Sequence, residues 1–289
     1  MTDIFTFPSA IDDRAAVTAQ LTPRPAWDEP QVAATLATFG MSDGRRKDRG
    51  GPRLVITDDR AELEIFRTSD SVRWSAADTA SEEPPEPPAL PAQQQAIEQA
   101  AALLEQRGLA QPGASVASVT ESVHSRIGPG NEVLARYPVA IHVNHGFRLD
   151  GLRVFGPGAK LQVTLGDRSS LVQLYAFWRR PRPGPTYDTI GYQRAADLIR
   201  THSSFATMVA GGRAQVSFDQ VQLGYYAFPA REVQGMLVPS YRFDGRVTIP
   251  GVPEPHLFTR YVTAVDFRPA DVKSSRMSPR GSLPGVFSA

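Results

Sequence analysis

The side chains that could do chemistry are few and scattered. The chain has five histidines and no cysteine. Disulfides, thiolate metal sites and a cysteine nucleophile are therefore excluded together. His142 and His145 are three apart on an alternating segment, and a period of two sends them to opposite faces, a poor arrangement for one metal ion. Ser122 and His124 share one side of their segment, the spacing of a nucleophile and its base. No orienting carboxylate or oxyanion donor can be assigned to them, so the plainer reading is a polar strand face. Asp150, Asp167 and Asp244 fall at turn sequences, where aspartate serves the backbone. Asp219 and Asp266 fall in strand-like sequence and call for salt-bridge partners if buried. Gly128-Pro-Gly-Asn and Gly156-Pro-Gly-Ala are glycine-rich, but each precedes a strand and opens no phosphate-binding helix. No Walker loop, dinucleotide fingerprint, zinc-protease helix or nucleophile elbow occurs. No catalytic residue, metal site or cofactor is assigned.

Aromatic and arginine residues cluster more pointedly. Tyr175, Phe177 and Trp178 run directly into Arg179 and Arg180. A second group holds Tyr225, Tyr226, Phe228, Tyr241, Arg242 and Phe243. Tyr, Trp and Arg are the types that anchor protein contacts, so Tyr175, Trp178, Arg179, Arg180, Tyr225, Tyr226, Tyr241 and Arg242 form the candidate binding set. The competing reading is a sheet core with aromatic residues at its rim. If the set binds, truncating Trp178 or Tyr226 weakens capture and leaves the fold intact.

These residues need elements to hold them. The 289 residues suffice for one large domain or two ordinary ones. A net charge of +1 argues against nucleic acid as partner, and no apolar run is long enough for a membrane span or a signal peptide. The chain as given is expected to be soluble, either cytoplasmic or an exported protein without its leader. Three helices are predicted. The first starts at Asp28, with Val32, Leu36 and Phe39 on one face and Gly40 as its stop. The second opens at Pro91, presents Ile97, Ala101 and Leu104, and closes at Gly108. The third starts near Asp188 and presents Tyr192, Ala195, Ala196 and Ile199. Strand-like alternation follows each helix, as in Val139, Ile141 and Val143. Leu171 to Trp178 is apolar on both sides and reads as a central strand covered on both faces. Gly40 to Gly51 reads as a mobile loop. Ser81 to Pro88 and Arg179 to Pro185 read as linkers.

The stretch from Phe147 through Gly156-Pro157-Gly158 to Gly166, with Tyr175-Ala-Phe-Trp-Arg179 after it, resembles the strand core of PepSY-like modules and of thermolysin-type propeptides. Leu223-Gly-Tyr-Tyr-Ala-Phe-Pro229 and Val233 to Gly245 are similar to the matching part of another copy. The order of elements over residues 28 to 268 is similar to tandem regulatory proteins of the YycH/YycI type. The resemblance implies an α+β fold of repeated units, each a helix plus a curved antiparallel β-sheet. It also implies a protein that binds, inhibits or regulates at the bacterial envelope without catalysis.

The expected organisation is an N-terminal extension (1–27), a first helix-plus-strand unit (28–80), PepSY-like units at 89–180 and 186–268, and a flexible tail (269–289). The expected function is non-catalytic binding or regulation, with a curved sheet presented to a protein or peptide partner. Two alternatives stand beside it. One is a hydrolase or isomerase with a pocket between sheet and helix, marked by His124 or His142 beside a carboxylate. The other is a structural subunit that engages another copy through an exposed edge strand. The oligomeric state is left open.

Overall fold

The computed structural model describes residues 5–8, 11, 13–48, 50–77, 87–202, 214–266 and 286–287. In chain order these form β1 (Phe5–Thr6), β2 (Ala16–Leu21), α1 (Glu29–Thr38), β3 (Arg45–Asp48), β4 (Arg53–Thr57), β5 (Ala61–Phe66) and β6 (Ser71–Ala76). Next come α2 (Gln93–Gln106), β7 (Ala114–Ile127), β8 (Val133–Leu149), β9 (Leu152–Phe155), β10 (Lys160–Leu165), β11 (Leu171–Phe177) and β12 (Arg182–Asp188). The described chain ends with α3 (Tyr192–Thr201), β13 (Gln215–Tyr226), β14 (Met236–Thr248), β15 (His256–Thr263) and β16 (Val286–Phe287).

This architecture corrects the expected α+β class. The strands join into one mixed 16-stranded sheet, while the three α-helices contribute only 10, 14 and 10 residues. The fold is predominantly β. The units foreseen from sequence do not close on themselves, because their edge strands pair with one another. β6 pairs antiparallel with β11, and β9 pairs parallel with β13. A helix-first pattern along the chain therefore says little about where one sheet stops.

The helices form where local chemistry places them. The Asp28 carboxylate accepts from the Gln31 N–H at 2.9 Å and caps α1, which buries Val32 and Leu36. Gly40 follows at φ +63°. α2 ends in a turn in which Leu109 N–H donates to Leu104 C=O at 2.8 Å across Gly108. Its buried stripe is Ala96, Ala100 and Leu104, so the expected stripe was turned by one position for its alanines. α3 starts later than foreseen, at Tyr192, whose N–H donates to Asp13. The residues before it are strand β12, which pairs with β2.

Several expected loops are therefore sheet. Arg182–Pro185 belongs to β12 rather than to a linker, and Arg45–Asp48 within the expected mobile loop is strand β3. The N-terminal extension supplies β1 and β2. Residues 81–86 of the acidic linker and 269–285 of the tail lie outside the described residues. No helix of the described residues is long and apolar enough to cross a membrane.

The strands around β8 fork. On one side β8 pairs with β7, and on the other with β10 over Ile141–His145 and with β9 over Phe147–Leu149. The β10 branch continues through β11, β6, β5 and β4 to β3, and the β9 branch continues to β13 and β14. One face of the first branch buries Ile56, Leu63, Ile65, Val143, Val163, Leu165 and Leu174 in a cluster with Leu36, Ala100 and Leu104 of the helices. No helix of the described residues packs on the other face.

Arg179 joins the two branches. It lies two residues past the end of β11 and is 3% exposed. Its guanidinium donates to the C=O groups of Phe228, Pro229 and Glu232 at 2.8, 3.0 and 2.8 Å. Burial pushes its pKa down to about 10. Thr68 and Ser69 donate to Ala230 C=O in the same loop at 2.7 and 2.9 Å. Arg179→Lys keeps the charge but cannot reach three carbonyls at once. Each unsatisfied buried acceptor costs about 1–3 kcal/mol, so urea unfolding of Arg179→Lys should show a loss of about 2–4 kcal/mol.

Candidate functional site

The open face of the first branch is assembled by register. Reading across paired strands, Thr120, His142, Thr164, Gln173, Ser75, Glu62, Thr57 and Arg45 form one row. Ser118, Asn144, Gln162, Tyr175, Arg73, Glu64, Val55 and Lys47 form the next. β11 is central, as expected, but covered on one face only. Leu174 and Ala176 point into the core, whereas Gln173, Tyr175 and Phe177 remain half-buried on the open side.

Tyr175 is the centre of this face. Lys160 Nζ lies 4.2 Å from its ring centroid and the Arg73 guanidinium 5.5 Å from it. Phe177 packs edge-on against Tyr175 at 5.2 Å, and Phe66 packs edge-on against Phe177 at 5.1 Å. Burial, with the neighbouring Arg73 charge second, lowers the pKa of Lys160. Glu64 is 6% exposed and lies between Arg53 (3.2 Å) and Arg73 (3.6 Å). A cleft of about 450 Å³ opens beside it, lined by Lys47, Arg53, Val55, Glu64, Phe66 and Arg231 among others. The face thus gathers Lys47, Arg53, Arg73, Lys160 and Arg231 around an aromatic row, against the carboxylates of Glu62 and Glu64.

A polar chain lies at the other end of the face. Ser122 Oγ is 2.7 Å from His142 Nε2, and His142 Nδ1 is 2.9 Å from Thr164 Oγ1. Serine and base are thus Ser122 and His142, whereas the sequence spacing had suggested His124. Threonine stands where a hydrolase places its carboxylate. The main-chain groups of β8 and β10 here are in the ladder and offer no oxyanion pair. His145 points to the opposite face, paired with Leu161 of the core. Among the described residues no three His, Asp or Glu side chains gather as a metal site.

The structure separates the sequence-derived binding set. Tyr175 is on the open face. Arg180 is exposed and 3.6 Å from Asp70. Arg242 is half-buried, bound to Asp244 at 2.8 Å and lying over the Phe155 ring. The others are interior. Trp178 stacks on Phe147 at 4.0 Å, and Arg179 is the loop clamp. Tyr225 donates its hydroxyl to Thr18 C=O at 2.7 Å. Tyr226 packs with Phe155, Val238 and Tyr261, and burial pushes its pKa up to about 12. Tyr241 donates to Asp13. Truncating Trp178 would remove a packed core ring at a cost of about 3–5 kcal/mol, which corrects the expectation that the fold would survive intact. Arg73, Lys160, Glu64 and Phe66 were missed. The alternation of Glu62 and Glu64 with Leu63 and Ile65 marked a polar strand face, but only register brings it beside Tyr175.

No known protein family and no curated protein matches the chain. Among solved structures, the chain is similar to an uncharacterized protein from Eubacterium rectale, with a TM-score of 0.53 at 9% identity. The match covers 92% of this chain and 91% of that one. At that identity the likeness shows a shared fold. It extends over nearly the whole chain, so both branches of the sheet fall within it.

His142 and His145 give the fold a defined pH response. Burial lowers both pKa values from the ordinary 6.5, with the Lys160 charge adding to the effect at His142. The unfolded chain therefore takes up these protons first, and the stability they contribute is complete above pH 6.5 and falls as the pH drops below it. Unfolding free energy measured between pH 7.5 and 5 should decline. The decline should be shallower in His142→Gln.

Proposed function

We propose that the protein is a non-catalytic binding module whose open sheet face receives an acidic segment of a protein or peptide partner. The observation that carries this reading is the placement of five cationic side chains around Tyr175, Phe177 and Phe66, on the face that no described helix covers. The Lys160 and Arg73 stems are half-buried against the Tyr175 ring and already ordered, so a carboxylate bound there costs little further side-chain entropy. Glu64 offsets part of the local charge and holds Arg53 and Arg73 in place. The hydrolase alternative starts from Ser122 and His142 and has threonine in place of the orienting acid, which gives it less support.

A displayed peptide library tests the proposal. Sequences selected on the wild-type protein should be rich in Asp, Glu and aromatic residues. Their affinity should fall about tenfold or more in Tyr175→Ala and Lys160→Ala and weaken with added salt. Both side chains are partly exposed, so thermal unfolding should change little. Selected peptides that bind both variants as tightly as the wild type would overturn the assignment.

A further inference from the structure

The cationic face has two centres, and they differ in what they can hold. At Tyr175, Lys160 and Arg73 flank a ring on the open surface. Beside Glu64 the side chains enclose a cleft of about 450 Å³, within the size range of small-ligand sites. Register builds its floor. Val55 of β4 stands between Lys47 of β3 and Glu64 of β5, and Arg53 stands beside Phe66 in the row after it. Phe66 is buried and Val55 half-buried, so the floor is apolar. The charges around it do not balance. Lys47, Arg53 and Arg231 meet one carboxylate, Glu64, which leaves a surplus of two positive charges. Glu64 is engaged by Arg53 at 3.2 Å and by Arg73 at 3.6 Å. Among the described residues Lys47 and Arg231 have no carboxylate partner. Glu62 belongs to another row, which has Arg45 of its own. The backbone around Arg231 is fixed, because Ala230 C=O accepts from Thr68 and Ser69 and Glu232 C=O accepts from Arg179. Like charges held over one cleft repel each other, and an anion between them removes that repulsion.

We infer that this cleft receives a phosphorylated tyrosine side chain of the partner segment, with its ring on Val55 and Phe66 and its phosphate among Lys47, Arg53 and Arg231. The inference rests on the reading above, that this face binds an acidic segment, and names the residue that anchors it. Charge decides for phosphate over carboxylate. A phosphate monoester carries about two negative charges at neutral pH, which matches the surplus, whereas a carboxylate carries one. Its three terminal oxygens also accept from several cations together, and the arginine fork fits them two at a time. The floor decides for an aryl ester. A ring covers Val55 and Phe66, whereas the short stem of phosphoserine leaves both in water.

Calorimetric titration of the full chain with N-acetyl-phosphotyrosine amide tests this. The matching amides of sulfotyrosine, which has the same ring but one charge, and of phosphoserine, which has the charge but no ring, are the comparisons. Phosphotyrosine amide should bind about tenfold more tightly than either. Lys47→Gln and Arg231→Gln should each weaken it about tenfold. Both side chains are exposed, so thermal unfolding should not change. Equal affinity for sulfotyrosine amide would overturn the match to a dianion, and equal affinity for phosphoserine amide or a nucleoside monophosphate would overturn the match to an aryl ester. Equally strong capture of phosphatidate vesicles would overturn the assignment to a side chain, and unchanged binding in both variants would overturn the site. None of these results touches the acidic-segment reading, which stands or falls with the selected peptides and the Tyr175 and Lys160 variants. Failure of those peptides, with phosphotyrosine amide still bound through Arg231, would overturn that reading and uphold the cleft.

Discussion

Arg179 carries a positive charge into the interior, where it survives because three carbonyls of the 228–232 loop accept hydrogen bonds from its guanidinium. The arrangement fixes more than one side chain. The loop closes the turn between β13 and β14, while Arg179 lies two residues past the end of β11. The two branches that fork at β8 are thereby tied a second time, beyond their shared strand. Gly158 shows how close this approach is. A Cβ there would lie 1.9 Å from Phe228 C=O and 2.5 Å from the Arg179 guanidinium. No other residue fits without moving the loop.

That tie shapes the candidate site. The cleft beside Glu64 is lined by residues of β4 and β5 and also by Arg231, which belongs to the clamped loop. The cationic face is thus completed by a residue from the other branch, held over it by Arg179, Thr68 and Ser69. The described helices pack away from this face. Its side chains are ordered by each other, through ring contacts and through the ion pairs of Glu64.

Much of the local structure was legible in the sequence. Asp28 and Gly40 marked the ends of α1, and Gly108 with Leu109 marked the end of α2. The alternation at Val139, Ile141 and Val143 announced a strand, with His142 and His145 on opposite faces. These features depend on neighbours within a few residues, where capping, turn geometry and side-chain period act directly. The aromatic–arginine runs were also visible, but their exposure was not. Tyr175 lies on β11 and Trp178 directly follows it, three residues on, and the alternation of the extended chain sends one to the open face and the other into the core.

What the sequence determined by itself was the strand period, the helix caps, the absence of thiol chemistry and a near-neutral charge. Tertiary structure decided which strands pair, and hence the fold class. The contacts β6–β11 and β9–β13 join segments far apart in the chain, and no local pattern encodes them. It also decided which polar residues meet. Ser122 finds His142 rather than His124, and Lys160 and Arg73 meet over Tyr175. The physical reason is common to both. Cross-strand neighbours are set by register, and register is chosen by burial of the whole apolar face at once.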